Sequence, residues 1–235
     1  MHIERTVREV GIRLCLALIT TGLLTTACSK EDPNDAAPAT GTPTFTPPTG
    51  DAVLTASRGA SVAYVGSAYF KDNIGLPVNA GDVSLNTLPL DTAYGLYSIS
   101  SNNNAALDLS SGDVAWTVSG GNGFAAFSQD VNDIDFPDAG AINSDDTIHK
   151  SADYVFSWAS VSGADYVTFT LEFTSKNVQG NTTSCTFTPA ELSTLPMGTI
   201  FVSINACKYS QHTIGGKLCL FKKKHAEVRS LTVVN

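Results

Sequence analysis

From residue 52 onward the chain alternates apolar and polar residues in short runs, broken by small clusters of Gly, Asn, Asp and Pro. A period of two is the signature of a strand with one face buried. It predicts strands over 52–57, 61–70, 82–88, 94–100, 105–110, 113–119 and 124–128. It predicts further strands around 154–158 and over 165–174, 182–188, 199–209, 217–223 and 226–234. Turn chemistry separates them, as in Asp72-Asn73-Ile74-Gly75 and Gly120-Gly121-Asn122-Gly123. Within 113–119, Val114, Trp116 and Val118 share a face, which makes Trp116 a core residue. Within 165–174, Val167, Phe169, Leu171 and Phe173 point one way, and Tyr166, Thr168, Thr170 and Glu172 the other. No long segment shows a helical i, i+3, i+4 period; Pro189 to Leu192 reads as a single helical turn with Pro early in it. The pattern is that of an all-β fold, one or two antiparallel β-sandwiches.

The N-terminus departs from this pattern. Arg5, Arg8 and Arg13 precede an apolar run, Leu14 to Leu24, which ends in Thr25-Thr26-Ala27. These are the three parts of a secretory signal over 1–27. The run is about half of the ~20 residues that a membrane-spanning helix needs. Cys28 follows directly, and Leu23 to Cys28 resembles a bacterial lipobox, which implies an acylated Cys28 as the first residue of the mature protein. Two or more acyl chains anchor stably where one binds reversibly.

Ser29-Lys30-Glu31-Asp32 resembles the signal by which Bacteroidetes-type bacteria send lipoproteins to the outer face of the outer membrane. Asp91-Thr92-Ala93 and Asp146-Thr147-Ile148 resemble the O-glycan acceptors of the same group, which makes Thr92 and Thr147 candidate glycosylation sites. Residues 29–51 hold five prolines and five threonines and, Phe45 apart, almost no large apolar residue. That composition predicts a disordered tether over 28–51 with a reach of roughly 70 Å. Two β domains follow, 52–147 and 148–235.

Leu192-Ser193-Thr194-Leu195-Pro196-Met197-Gly198-Thr199-Ile200-Phe201-Val202 resembles the Leu-x-Pro-Gly-Thr-x-Tyr corner of fibronectin type III and related immunoglobulin-like domains. Phe156-Ser157-Trp158 is similar to their early core strand. The resemblance implies an immunoglobulin-like sandwich over roughly 150–235. It departs by the inserted Met197 and by Phe201 in place of the corner Tyr, whose hydroxyl bond is lost. With Trp116 to Phe124 and Phe136-Pro137, the whole chain resembles Bacteroidetes-type surface lipoproteins.

Charge narrows the partners. The full chain has 14 basic and 22 acidic residues. Loss of 1–27 removes three Arg and two Glu, leaving 11 and 20, a net of −9. That sign opposes nucleic-acid binding, which depends on Lys and Arg neutralising phosphates. Lys222-Lys223-Lys224, the one basic cluster, reads as a solvated strand edge. The acidic residues Asp130, Asp133, Asp135, Asp138, Asp145 and Asp146 read as solvated turns. As calcium ligands they lack the glycine and closing glutamate of the helix–loop–helix motif.

Outside the signal and Cys28 stand Cys185, Cys207 and Cys219. A hairpin centred near Thr213 would set Cys207 opposite Cys219, predicting a disulfide suited to an oxidising compartment. Cys185 shares a face with Phe187 and reads as a buried, unbridged thiol. His149, His212 and His225 are isolated and read as solvated, so no metal or cofactor is expected. There is no Gly-x-Ser-x-Gly elbow and no phosphate-binding glycine loop. Of Glu172, Glu191 and Glu227, two read as solvent-facing strand residues. The expectation is therefore a non-enzymatic, lipid-anchored surface protein of the outer membrane, acting in binding, adhesion or envelope organisation with a glycan or another surface protein as partner. The alternative is a carbohydrate-binding accessory of a glycan-uptake system, with Tyr64, Tyr69, Tyr97, Tyr166 and Tyr209 as candidate stacking rings.

Overall fold

The computed structural model describes residues 44–59 and 63–235. The signal over 1–27, Cys28, the tether as far as residue 43 and the start of the strand expected at 61 lie outside the described residues. The rest is all-β. In chain order the strands are β1 (Ala52–Arg58), β2 (Val65–Lys71), β3 (Pro77–Val78), β4 (Val83–Leu85), β5 (Leu88–Pro89) and β6 (Asp91–Ala93). Then come β7 (Leu96–Ser100), β8 (Ala115–Val118), β9 (Phe127–Asp130), β10 (Asp138–Ala139), β11 (Thr147–His149) and β12 (Tyr154–Ser157). The last are β13 (Val161–Ser162), β14 (Tyr166–Leu171), β15 (Thr174–Gln179), β16 (Ser184–Phe187), β17 (Gly198–Ile214) and β18 (Lys217–Val234), with one helical turn, α1 (Pro189–Leu192), before β17.

A ten-stranded sheet forms the body, in the order β15-β14-β17-β18-β1-β2-β7-β6, with β11 paired to β18 and β3 to β2. Its spine is the long hairpin of β17 and β18, which turns at Gly215-Gly216. Both glycines have positive φ (56° and 78°), the conformation a two-residue hairpin turn of matching twist requires. Most pairings are antiparallel, but β1 and β11 both run parallel to β18. Three smaller sheets, β5-β4-β8-β9, β12-β16 and β10-β13, complete the fold.

Two hydrophobic cores result. The first gathers buried residues between Ala52 and Phe136, Trp116 among them, and takes Cys219 and Phe221 from β18. The second gathers residues between Ile148 and Ala206 and takes Leu231 and Val233 from the same strand. The register puts Ala52, Leu54, Phe221, Phe169, Ile204 and Leu231 on one face, so both cores sit on the same side of the sheet. One sheet runs through both cores, and the sequence does not divide cleanly between them: Ala139 and Ile142 pack against the second core, while Cys219 and Phe221 belong to the first.

Local chemistry explains where strands differ from the alternation. No strand forms over 105–110: the Asn104 side chain accepts from the Ala106 N–H and that of Asp108 from the Ser110 N–H. These turns compete with a ladder for the backbone, although Leu107 and Leu109 still reach the first core. Phe173 leaves the core face because β14 ends at Leu171 and Glu172 turns with φ of 50°, so Phe173 is 74% exposed.

Residues 44–51 are not loose tether. The Phe45 N–H donates to the Asn177 carbonyl (2.6 Å) and its ring lies 5.6 Å from Tyr166. Gly50 packs against the Leu218 carbonyl, closely enough that a side chain there would clash, and the Asp51 carboxylate accepts from the Leu218 N–H (2.8 Å). The segment is a strap over the sheet face opposite the cores.

Candidate functional site

A cleft with convergent polar groups opens on the described surface. It holds about 230 Å³ and is lined by Ser111, Gly112, Asp113, Asn132, Ile134, Asp135 and Lys223. Lys223 forms its floor. Because β18 lies between β17 and β1, alternation sends Lys222 and Lys224 to the strap face and Lys223 to the core face. The lysine triplet is therefore no solvated edge: it sits mid-sheet, and Lys223 is 3% exposed.

The Lys223 ammonium donates to the carbonyls of Gly112 (2.8 Å) and Ile134 (2.9 Å) and stands 5.4 Å from the centre of the Phe136 ring. Arg58 covers the same ring at 4.6 Å. Burial pushes the Lys223 pKa below the ordinary lysine value, against the attraction of Asp135, Asp113 and Asp133. One lysine thereby ties the 111–113 and 132–135 loops to the sheet. Ser111 serves its own turn by accepting from the Asp113 N–H. The cleft is smaller than the 300–1,000 Å³ usual for drug-sized ligands. Its chemistry suits hydrogen bonding to a small hydroxylated or amide group.

The second core holds a related device. Lys176, 5% exposed, contacts the Glu191 carboxylate at 2.7 Å, donates to the Thr186 carbonyl (2.9 Å) and lies 5.0 Å from the Phe187 ring centre. Glu191 also accepts from the Thr188 N–H (2.8 Å), which caps α1. Burial acts to raise the Glu191 pKa, but hydrogen bonds from Lys176 and Thr188 outweigh it and hold the carboxyl below its ordinary value.

On the strap face, Cys207 is buried beside Tyr166, with Tyr209 and Lys222 in the next row. Burial raises the Cys207 and Tyr166 pKa values and lowers that of Lys222. Cys207 and Cys219 do not face each other. The turn at Gly215-Gly216, not at Thr213, pairs Cys207 with Lys224 and Cys219 with His212. Their rows lie five residues apart, about 17 Å at ~3.4 Å per residue, far beyond disulfide reach. Their faces also differ, since Cys219 enters the first core. No disulfide joins the described cysteines, and Cys185 is buried as its shared face with Phe187 predicts.

The remaining candidates are dispersed. Asp133 contacts His212 (3.5 Å), Asp138 contacts Arg58 (3.4 Å) and Asp146 contacts Arg229. No group of three metal-ligating side chains forms among the described residues, and Asp133, Asp138 and Asp146 each meet a different side chain. His225 is not solvated: it lies on β18 between the cores, 3.3 Å from Glu227, with its ring against Trp158. Glu227, expected to face solvent, is buried on the same face. Glu172 sits in the turn after β14, where it accepts from the Phe201 N–H.

Thr92 on the edge strand β6 and Thr147 on β11 are both exposed. The candidate stacking rings form no exposed row: Tyr97 and Tyr166 are buried, and Tyr64, Tyr69 and Tyr209 are half-buried. The exposed aromatics are Tyr94 (96%), Phe173 (74%) and Phe201 (55%). Alternation could not flag them, because two sit in turns. No protein-family model matches the chain, and no curated protein sequence matches it.

Proposed function

We propose that this chain is a lipid-anchored protein of the outer membrane, displayed at the cell surface and acting by binding rather than by catalysis. The observation that carries the reading is Cys28 at the end of the Leu23 to Ala27 exit of a signal, followed by Lys30-Glu31-Asp32. The strap supports it, because it gives the anchor-side segment a seat on the body at Phe45 and Asp51. The exposure of Thr92 and Thr147 is what acceptance of surface glycans requires. The immunoglobulin-like reading of 148–235 belongs to this proposal and rests on the 195–201 corner. Acyl anchoring is tested by Cys28→Ser with fractionation of cells expressing the full chain. The variant is expected to leave the membrane fraction; retention equal to the parent refutes the anchor.

A second reading, a carbohydrate-binding accessory, draws on the cleft, where Asn132, Asp113 and Asp135 offer donors and acceptors to hydroxyls. Titration calorimetry with monosaccharides distinguishes it: loss of binding in Asp135→Ala supports it, and no heat with any sugar removes it.

A further inference from the structure

We infer that the rim formed by Phe173, Phe201 and Met197 rests on the bilayer and sets the orientation of the anchored body, an inference that depends on the anchor proposed above. The three side chains are 74%, 55% and 52% exposed at one end of the sheet. The rim is built rather than frayed. Glu172 fixes its turn from both sides, its N–H donating to the Phe201 carbonyl (3.2 Å) and its carboxylate accepting from the Phe201 N–H (3.2 Å). Phe201 lies on the strap face, in even register with Cys207, the partner of Tyr166. Phe201 shares its row with Ser230, and the adjoining row on that face carries Thr170, Ser175, Ser203 and Val228, none of them charged.

A similar apolar group, Ile74, Leu76 and Tyr94, is exposed at turns near the opposite end. What separates the two is where the chain leaves the body. The strap starts from Asp51 beside Leu218, near the hairpin tip, and reaches back to Phe45 at Asn177. Asn177 shares a row with Thr168 and Asn205. That row is three residues, about 10 Å, from the row of Thr174 and Leu171 at the rim, and eight residues, about 27 Å, from the row of Thr213 and Leu218. The anchored segment thus departs on the rim side. Cys28 stands only 16 positions before Thr44 in the chain. A short leash keeps the near end at high effective concentration against the bilayer, where partly buried Phe and Met side chains gain from leaving water.

The test uses the full acylated chain purified from membranes and reconstituted in phosphatidylcholine vesicles with brominated acyl chains. F173W and L76W each add one exposed reporter over a constant background, since Trp116 and Trp158 are buried. The expected result is quenching and a blue shift for F173W, and neither for L76W. If both variants float with the vesicles and neither is quenched, the rim proposal fails while the anchor stands, and the rim is left for a protein or glycan partner. Equal quenching of both overturns the orientation. If the chain carries no acyl mass on Cys28 and does not float, the anchor reading itself has failed.

Discussion

The two cores each bury a lysine against an aromatic ring, and they neutralise it differently. Lys176 has its counter-charge in contact, the Glu191 carboxylate at 2.7 Å, within a cluster that also caps α1. Lys223 has only carbonyl dipoles in contact, with Asp113, Asp133 and Asp135 acting from farther off. A buried ion pair is strongly weakened when one partner is removed, because the other charge is stranded. Carbonyls at the mouth of a cleft can turn to water instead. The second core is therefore held by a specific pair. The first is held by a staple whose removal opens a wet surface.

The largest effects test whether the cores are one unit. Phe169→Ala in the second core and Phe221→Ala in the first should each cost about 3–5 kcal/mol. Because β17 and β18 serve both cores, each should lower a single calorimetric transition; a second transition in either variant would break the coupling. Next, Lys176→Met should cost about 2 kcal/mol, the low end for a broken pair because Glu191 is one-third exposed. Lys223→Met should cost about 1 kcal/mol. Urea denaturation ranks the two, and the reverse order would mean that Lys176 does not depend on its counter-charge more than Lys223 does on its carbonyls.

A smaller effect is pH-dependent. Glu191 has a folded pKa below its unfolded one, so its contribution is complete above the unfolded value of about 4.3 and is lost as pH falls through the folded value. Glu191→Gln should flatten the urea midpoint between pH 5 and pH 3, to a degree of order tenths of a kcal/mol. An unchanged acid limb would remove Glu191 from it. The smallest effect concerns the thiols. Burial raises Cys219 to about 11 and Cys207 above its ordinary value, so at neutral pH little thiolate is present. With Cys28 acylated as proposed, thiol titration should be slow when native and give three groups, Cys185, Cys207 and Cys219, in denaturant; one group alone would restore a bridge.

Much of the fold was legible because strand alternation is local. Trp116, Phe169 and the turn at Pro189 follow from neighbours within a few residues. Register was not, because it depends on where a turn closes. Moving the hairpin centre from Thr213 to Gly215-Gly216 changes the partner of Cys207 from Cys219 to Lys224 and removes the expected bridge. The lysine triplet misled for a related reason: β18 becomes a central strand through parallel pairing with β1, more than 150 residues earlier in the chain. The cleft draws on three distant segments, so no motif could announce it. The apolar rim escaped notice because Phe173 fits the alternation of β14 perfectly until Glu172 turns.

The strap has a mechanical consequence. Tension applied on the N-terminal side of Thr44 would first peel Phe45 from Asn177 and then load β1 at Ala52. That strand is laced along its length to β18 on one side and β2 on the other. Force directed along it must rupture many bonds together rather than one after another, so a pull on the N-terminal segment would spend itself on a sacrificial flap before reaching the spine.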